Sequence, residues 1–130
     1  MKEVRKIVLI VDDSISTRAK IRAVLENEGY AVREAGNEAG MIKNICVSGE
    51  TADVVLMDLV LNAQNGLDLI ANMRSDDWYK NIPVIILTEH ATLSYVKEAK
   101  DLDVEGYILK PVNIETLKEK TNNLVWRKNV

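Results

Sequence analysis

Two hydrophobic periods alternate along the chain. Residues 7–11, Ile-Val-Leu-Ile-Val, form an unbroken run rich in β-branched side chains, which predicts a strand buried on both faces. Asp12, Asp13 and Ser14 end that run and offer helix N-cap side chains. Over 14–28, Thr17, Ile21, Val24 and Leu25 fall on one helical face, and Gly29 is placed to stop the helix. Residues 30–35 predict a short strand with polar interruptions, near a sheet edge. The spacing then predicts a helix over 37–48 with Met41, Ile42 and Ile45 inward, ended by Gly49. Val54, Val55, Leu56 and Met57 make a second fully apolar strand, followed by a loop over 59–65. A helix over 67–74 shows Leu67, Ile70 and Met73 in a stripe. A strand over 83–87, a helix over 92–102 and a strand over 104–109 follow. Asn113 caps a last helix that packs through Ile114, Leu117, Leu124 and Val125.

The order is strand–helix, five times. Such units build a parallel sheet with helices on both faces, joined by right-handed crossovers. The expectation is an α/β fold, an open doubly wound sheet of five strands forming a single domain over residues 1–130. A (β/α)8 barrel needs eight units and is excluded.

Composition narrows the function. With 47% hydrophobic and 28% charged residues the chain reads as globular. Its net charge of -3 argues against nucleic acid as a direct partner. No apolar run approaches the roughly 20 residues of a membrane span, and no signal peptide is legible. The single cysteine, Cys46, suits a reducing compartment, so a cytoplasmic location with no membrane association is expected.

In a doubly wound sheet, ligands bind beyond the carboxyl ends of the strands. Asp12 and Asp13 follow the first strand, Asp58 the third, Thr88 the fourth, and Lys110 with Pro111 the fifth. Three carboxylates, a hydroxyl and an ammonium are therefore expected on one rim. Oxygen ligands at this density suit Mg2+, which also relieves repulsion among the carboxylates. The same cation and a lysine can neutralise a transferring phosphoryl group, while one carboxylate attacks phosphorus.

Four segments carry a resemblance to a known family. Residues 7–14 resemble the opening strand and acid pair of response-regulator receiver domains, and 54–59 with Gly66 and Leu67 resemble the phosphoacceptor segment. Residues 83–88 look like the fourth strand with its switch threonine, and 106–111 like the final strand with its aromatic and Lys-Pro pair. The likeness runs from about Lys6 to Trp126, and the chain resembles the single-domain chemotaxis-type regulators. It implies a flavodoxin-like (βα)5 fold with strand order 2-1-3-4-5. It implies that Asp58 accepts the phosphoryl group. Asp13 would bind Mg2+ directly, Asp12 mainly through water, and the Val60 carbonyl would be a further ligand. Lys110 would pair with Asp58 and then with the phosphoryl oxygens, and the Lys110–Pro111 bond would be cis. Thr88 would swing toward the phosphoryl group and Tyr107 would turn inward. The implied partners are a sensor histidine kinase or histidine phosphotransfer protein and a downstream target protein, with the chain a monomer or a phosphorylation-dependent dimer. The output surface would lie around Tyr95, Val96, Tyr107 and Lys118.

Three positions depart from the family pattern: Asn62 where a proline is usual, Glu89 where a small residue is usual, and His90 beside it. Glu89 either crowds an incoming phosphodonor or points to solvent. His90 either shapes water access to an acyl phosphate or is a surface loop residue. No Gly-x-Gly-x-x-Gly opens the first helix and no Walker loop is present, so nucleotide chemistry is unsupported. Residues 12–15 lack the two-residue acid spacing of phosphatases with an Asp nucleophile. The alternatives are a phosphorylation-independent interaction module with a receiver fold, or the receiver portion of a longer regulator.

Overall fold

The computed structural model describes residues 5–61, 64–89 and 93–126. Asn62 and His90, two of the three departures above, lie outside the described residues, as does Thr92. Five parallel strands form the sheet: β1 (Ile7–Val11), β2 (Ala31–Ala35), β3 (Val54–Asp58), β4 (Val84–Thr88) and β5 (Gly106–Leu109). They lie in the order β2-β1-β3-β4-β5, as expected. The helices are α1 (Ile15–Asn27), α2 (Glu38–Ile45), α3 (Gly66–Arg74), α4 (Leu93–Asp101) and α5 (Ile114–Trp126).

The apolar runs are central for the reason expected. Every residue of β1, β3 and β4 is buried, while the edge strands β2 and β5 are only partly so. Alternate strand residues feed two separate cores. Leu9, Val11, Val55, Met57, Val84 and Ile86 pack under α2, α3 and α4. Val8, Ile10, Val54, Leu56, Ile85 and Leu87 pack under α1 and α5. Short polar side chains cap four helices. Ser14 Oγ accepts from Thr17 N–H at 3.2 Å, Asn37 Oδ1 from Gly40 N–H at 2.8 Å, Asn65 Oδ1 from Leu67 N–H at 2.9 Å, and Asn113 Oδ1 from Thr116 N–H at 2.9 Å.

The structure corrects several local expectations. Helix α2 stops at Ile45 rather than continuing to Ser48. Cys46–Val47 instead pairs antiparallel with Glu50–Thr51. Ser48 and Gly49 carry φ of 53° and 81°, the two consecutive left-handed residues of a tight hairpin turn, so Gly49 turns a hairpin rather than ending a helix. Arg33 anchors this hairpin, donating to the carbonyls of Asn44 at 2.9 Å and Glu50 at 2.8 Å. Ile42, expected inward, is 67% exposed, and Ile114 is 44% exposed. The segment after β3 is not plain loop: Val60–Leu61 pairs antiparallel with Gln64–Asn65, and α3 begins at Gly66. On β2, the Val32 carbonyl accepts from Arg22 Nη2 at 3.2 Å.

Candidate functional site at the carboxyl rim of the sheet

The strand register brings the expected side chains together. Asp58 is the last residue of β3 and Thr88 the last of β4, while Asp12 and Lys110 stand one residue beyond β1 and β5. Asp12 is fully buried, and Asp58 and Thr88 are 6% and 3% exposed. Buried acids at a strand end need fixed partners, and these have them. The Asp12 amide donates to Ala35 O at 3.0 Å, and Asp12 Oδ1 accepts from Ser14 N–H at 2.9 Å. Asp58 Oδ1 accepts from Val60 N–H at 3.2 Å.

Lys110 joins the two acids. Its Nζ donates to Asp58 Oδ2 at 3.2 Å. It also lies 2.8 Å from Asp12 Oδ2, a charge contact whose angle falls outside that of a hydrogen bond. Burial raises the Asp58 carboxyl above its ordinary range; the Val60 N–H and Lys110 oppose this, the Asp12 charge adds to it, and the rise prevails. For Lys110 the balance is reversed. Burial would lower it, but the contacts and charges of Asp12 and Asp58 outweigh burial and hold the ammonium protonated.

Asp13, more open to solvent, completes the cluster. Ligand oxygens of Asp12, Asp13 and Asp58 all lie within 4.8 Å of one another. Three carboxylates against the one ammonium of Lys110 leave two net negative charges when all are ionised. That excess, presented as hard oxygen donors, fits a divalent cation such as Mg2+. A cleft of about 350 Å³ opens onto Asp13, Asp58, Thr88, Glu89 and Lys110. The Glu89 side chain is exposed at its mouth.

Gly66 lets the cluster close up. A Cβ there would overlap the Asp58 carbonyl oxygen and come 2.9 Å from Leu59 Cα, so α3 starts directly against the backbone of the central acid. The Lys110–Pro111 bond is cis, as the resemblance implied.

Residues 8–122 match the model of the response regulator receiver domain. The chain belongs to that family. It is 31% identical over 120 residues to the chemotaxis protein CheY-3 of Vibrio cholerae, covering 92% of each chain. It is also 31% identical over 112 residues to sporulation initiation phosphotransferase F of Bacillus subtilis, covering 86% of this chain and 87% of that one. Among solved structures, the chemotaxis protein CheY4 of Vibrio cholerae, crystallised at low pH, superposes with a TM-score of 0.85 at 27% identity, over 93% of this chain and 99% of the other. Receiver domains serve as phosphoacceptor signalling switches rather than as typical enzymes, and generally bind Mg2+ at an acidic pocket; this chain has a cluster of three aspartates at the rim of its sheet. No helix of the described residues is long and apolar enough to cross a membrane.

In this receiver Tyr107 is tied to α4. Its hydroxyl donates to the carbonyls of Tyr95 at 3.2 Å and Val96 at 3.1 Å, and burial raises its phenol above the ordinary value. Sequence reasoning missed two basic residues of α1. Arg18 donates to the Asp12 carbonyl at 2.6 Å, and Lys20 to the Val112 carbonyl at 3.0 Å, so α1 grips the segments carrying Asp12 and Lys110. Charged residues on an amphipathic helix read as a solvated face; their position one and two turns beyond the acid pair was the available signal.

Proposed function

We propose that this receiver is a single unit spanning residues 1–130 that takes a phosphoryl group onto Asp58 from a phosphohistidine of a sensor kinase or phosphotransfer protein. An Asp58 carboxylate oxygen attacks phosphorus; the P–N bond breaks, and the imidazole leaves with its electron pair. The observation that supports this best is the setting of Asp58, buried, gripped by Val60 N–H and Lys110 Nζ, and opening onto a cleft. Asp12, Asp13, Asp58 and the Val60 carbonyl are the proposed Mg2+ set; when bound, Mg2+ supplies charge neutralisation to the phosphoryl oxygens. Lys110, already protonated and shared between two acids, takes up a phosphoryl oxygen in exchange for part of its hold on Asp58. Thr88, at the end of β4 beside the cleft, donates its hydroxyl to another. As Thr88 moves, Tyr107 leaves the Tyr95 and Val96 carbonyls and turns inward, so a local charge event alters the α4–β5 surface offered to a downstream target. The reading places the chain in the cytoplasm, which the free Cys46 fits, as a monomer or a phosphorylation-dependent dimer.

Intact mass after incubation with Mg2+ and acetyl phosphate tests this. One added phosphoryl mass that requires Mg2+ and is absent in Asp58→Asn is expected. A wild-type chain that gains nothing from either a small-molecule donor or a phosphohistidine protein would mark a phosphorylation-independent interaction module instead.

A further inference from the structure

We propose that Arg18 is a positioning residue for the Asp12–Asp13 limb of the acidic cluster, acting through the peptide bond between them. This rests on the reading of the cluster as a Mg2+ site given above.

Arg18 stands one turn into α1, and its guanidinium spans two targets. Nη1 donates to the Asp12 carbonyl at 2.6 Å, and Nε donates to Glu34 Oε1 at 2.9 Å. The second carboxylate oxygen of Glu34 is held by Arg22 Nη1 at 2.6 Å, so the anchor itself is fixed from two sides. Burial alone would raise the Glu34 carboxyl, but the hydrogen bonds from Arg22 and Arg18 outweigh it and hold Glu34 below its ordinary range, ionised. Space for the guanidinium comes from Gly36: a Cβ there would lie 3.1 Å from Arg18 Nη1 and 3.9 Å from the Asp12 carbonyl oxygen.

The consequence falls on one peptide plane. The Asp12 carbonyl belongs to the peptide that starts Asp13, so the direction of that carbonyl sets where the Asp13 side chain leaves the backbone. The preceding amide is pinned to Ala35 O and the Asp12 side chain to Ser14 N–H. Arg18 adds a restraint on the carbonyl itself, and so helps fix the relative placement of the two carboxylates. Its bonds go to a carbonyl and to Glu34, not to the cluster's carboxylates, so its influence is geometric. A lysine carries the same charge on a single nitrogen and lacks the rigid fork by which Nε and Nη1 each address one target, so it cannot reproduce both bonds in this geometry.

Calorimetric Mg2+ titration of the full chain, with thermal melts in parallel, tests this in Arg18→Met, Arg18→Lys and Arg22→Met. Both Arg18 variants are expected to bind Mg2+ about tenfold more weakly, the loss typical of removing a group that orients a metal ligand. Arg22→Met also strips Glu34 of an arginine but leaves the Asp12 carbonyl bond in place, and is expected to stay within about twofold of wild type. Arg18→Lys keeps the stem and charge and is the variant to read should Arg18→Met fail to fold. Wild-type affinity in a folded Arg18 variant, or an equal loss in Arg22→Met, overturns the proposal while leaving the Mg2+ site intact. A wild-type chain that binds no Mg2+ overturns the site itself, and the proposal with it.

Discussion

Lys110 reaches Asp58 across 52 residues of sequence, its Nζ 3.2 Å from Oδ2, while the same ammonium stands 2.8 Å from Asp12 Oδ2. One partly buried cation therefore serves two buried anions. Lys110→Met should leave both carboxylates without it. Removing one partner of a buried charge cluster typically costs about 3 kcal/mol. We expect a loss of that order at pH 7 in chelator, partly restored by Mg2+ and partly by adding Asp58→Asn. Urea unfolding of the single and double variants measures it, and a double variant no more stable than Lys110→Met would sink the shared-cation account.

Asp58 itself is expected to cost stability in the metal-free chain. Its native carboxyl titrates above the ordinary 3.8, because of burial first and the Asp12 charge in addition. A raised native value means the unfolded chain ionises first as pH rises. Stability from this group is thus complete below about 3.8 and is lost as pH climbs through the raised value. Asp58→Asn should flatten stability over that window and be more stable than wild type at pH 7 by about 1 kcal/mol. Denaturant midpoints across pH, in chelator, decide the matter; a less stable variant at pH 7 contradicts it.

At the start of α3, Gly66→Ala places a methyl group on the Asp58 carbonyl oxygen. The obstacle is backbone and cannot rotate away. Overpacking of this kind costs about 2–3 kcal/mol, and here the displaced peptide carries the proposed phosphoacceptor. Both the melting temperature and the rate of phosphorylation by acetyl phosphate should fall; an unchanged rate in a folded variant would show that the site tolerates a shifted α3.

Tyr107→Phe removes the hydroxyl shared by the Tyr95 and Val96 carbonyls. The expected loss is about 1 kcal/mol, concentrated in the docking of α4. Amide hydrogen exchange should quicken in α4 and leave β1 and β3 unaltered. Uniform quickening across the sheet would instead mean that the hydroxyl stabilises the whole domain.

The sheet was legible because β1, β3 and β4 are buried on both faces, which forces unbroken apolar runs such as Ile7–Val11. The convergence of Asp12, Asp58, Thr88 and Lys110 was legible because each stands at a strand end, and parallel strands end on the same side. The hairpin at Cys46–Thr51 was not, since its first strand prolongs the apolar spacing of α2 and the left-handed Ser48 leaves no compositional mark. The outward turn of Ile42 is a related failure: Met41 and Ile45, one turn apart, took the inner face of α2 and left Ile42 exposed. Arg18 and Glu34 were invisible for a different reason. Their pairing joins a helix to a strand 16 residues on, and each charge by itself looks solvated.

The edge strand β2 has a bearing on how this protein behaves in a crowd. An uncovered strand margin is a template on which a stray chain can lay down another strand. Here Arg33 and Glu34 leave that strand on opposite faces, each tied to neighbouring elements, and Arg22 occupies the Val32 carbonyl. A strand docking there would have to displace Arg22, which is also committed to Glu26 and Glu34. Recruitment along this margin must therefore work through side chains, and concentrated stocks of the protein should resist edge-to-edge growth of the sheet into fibres.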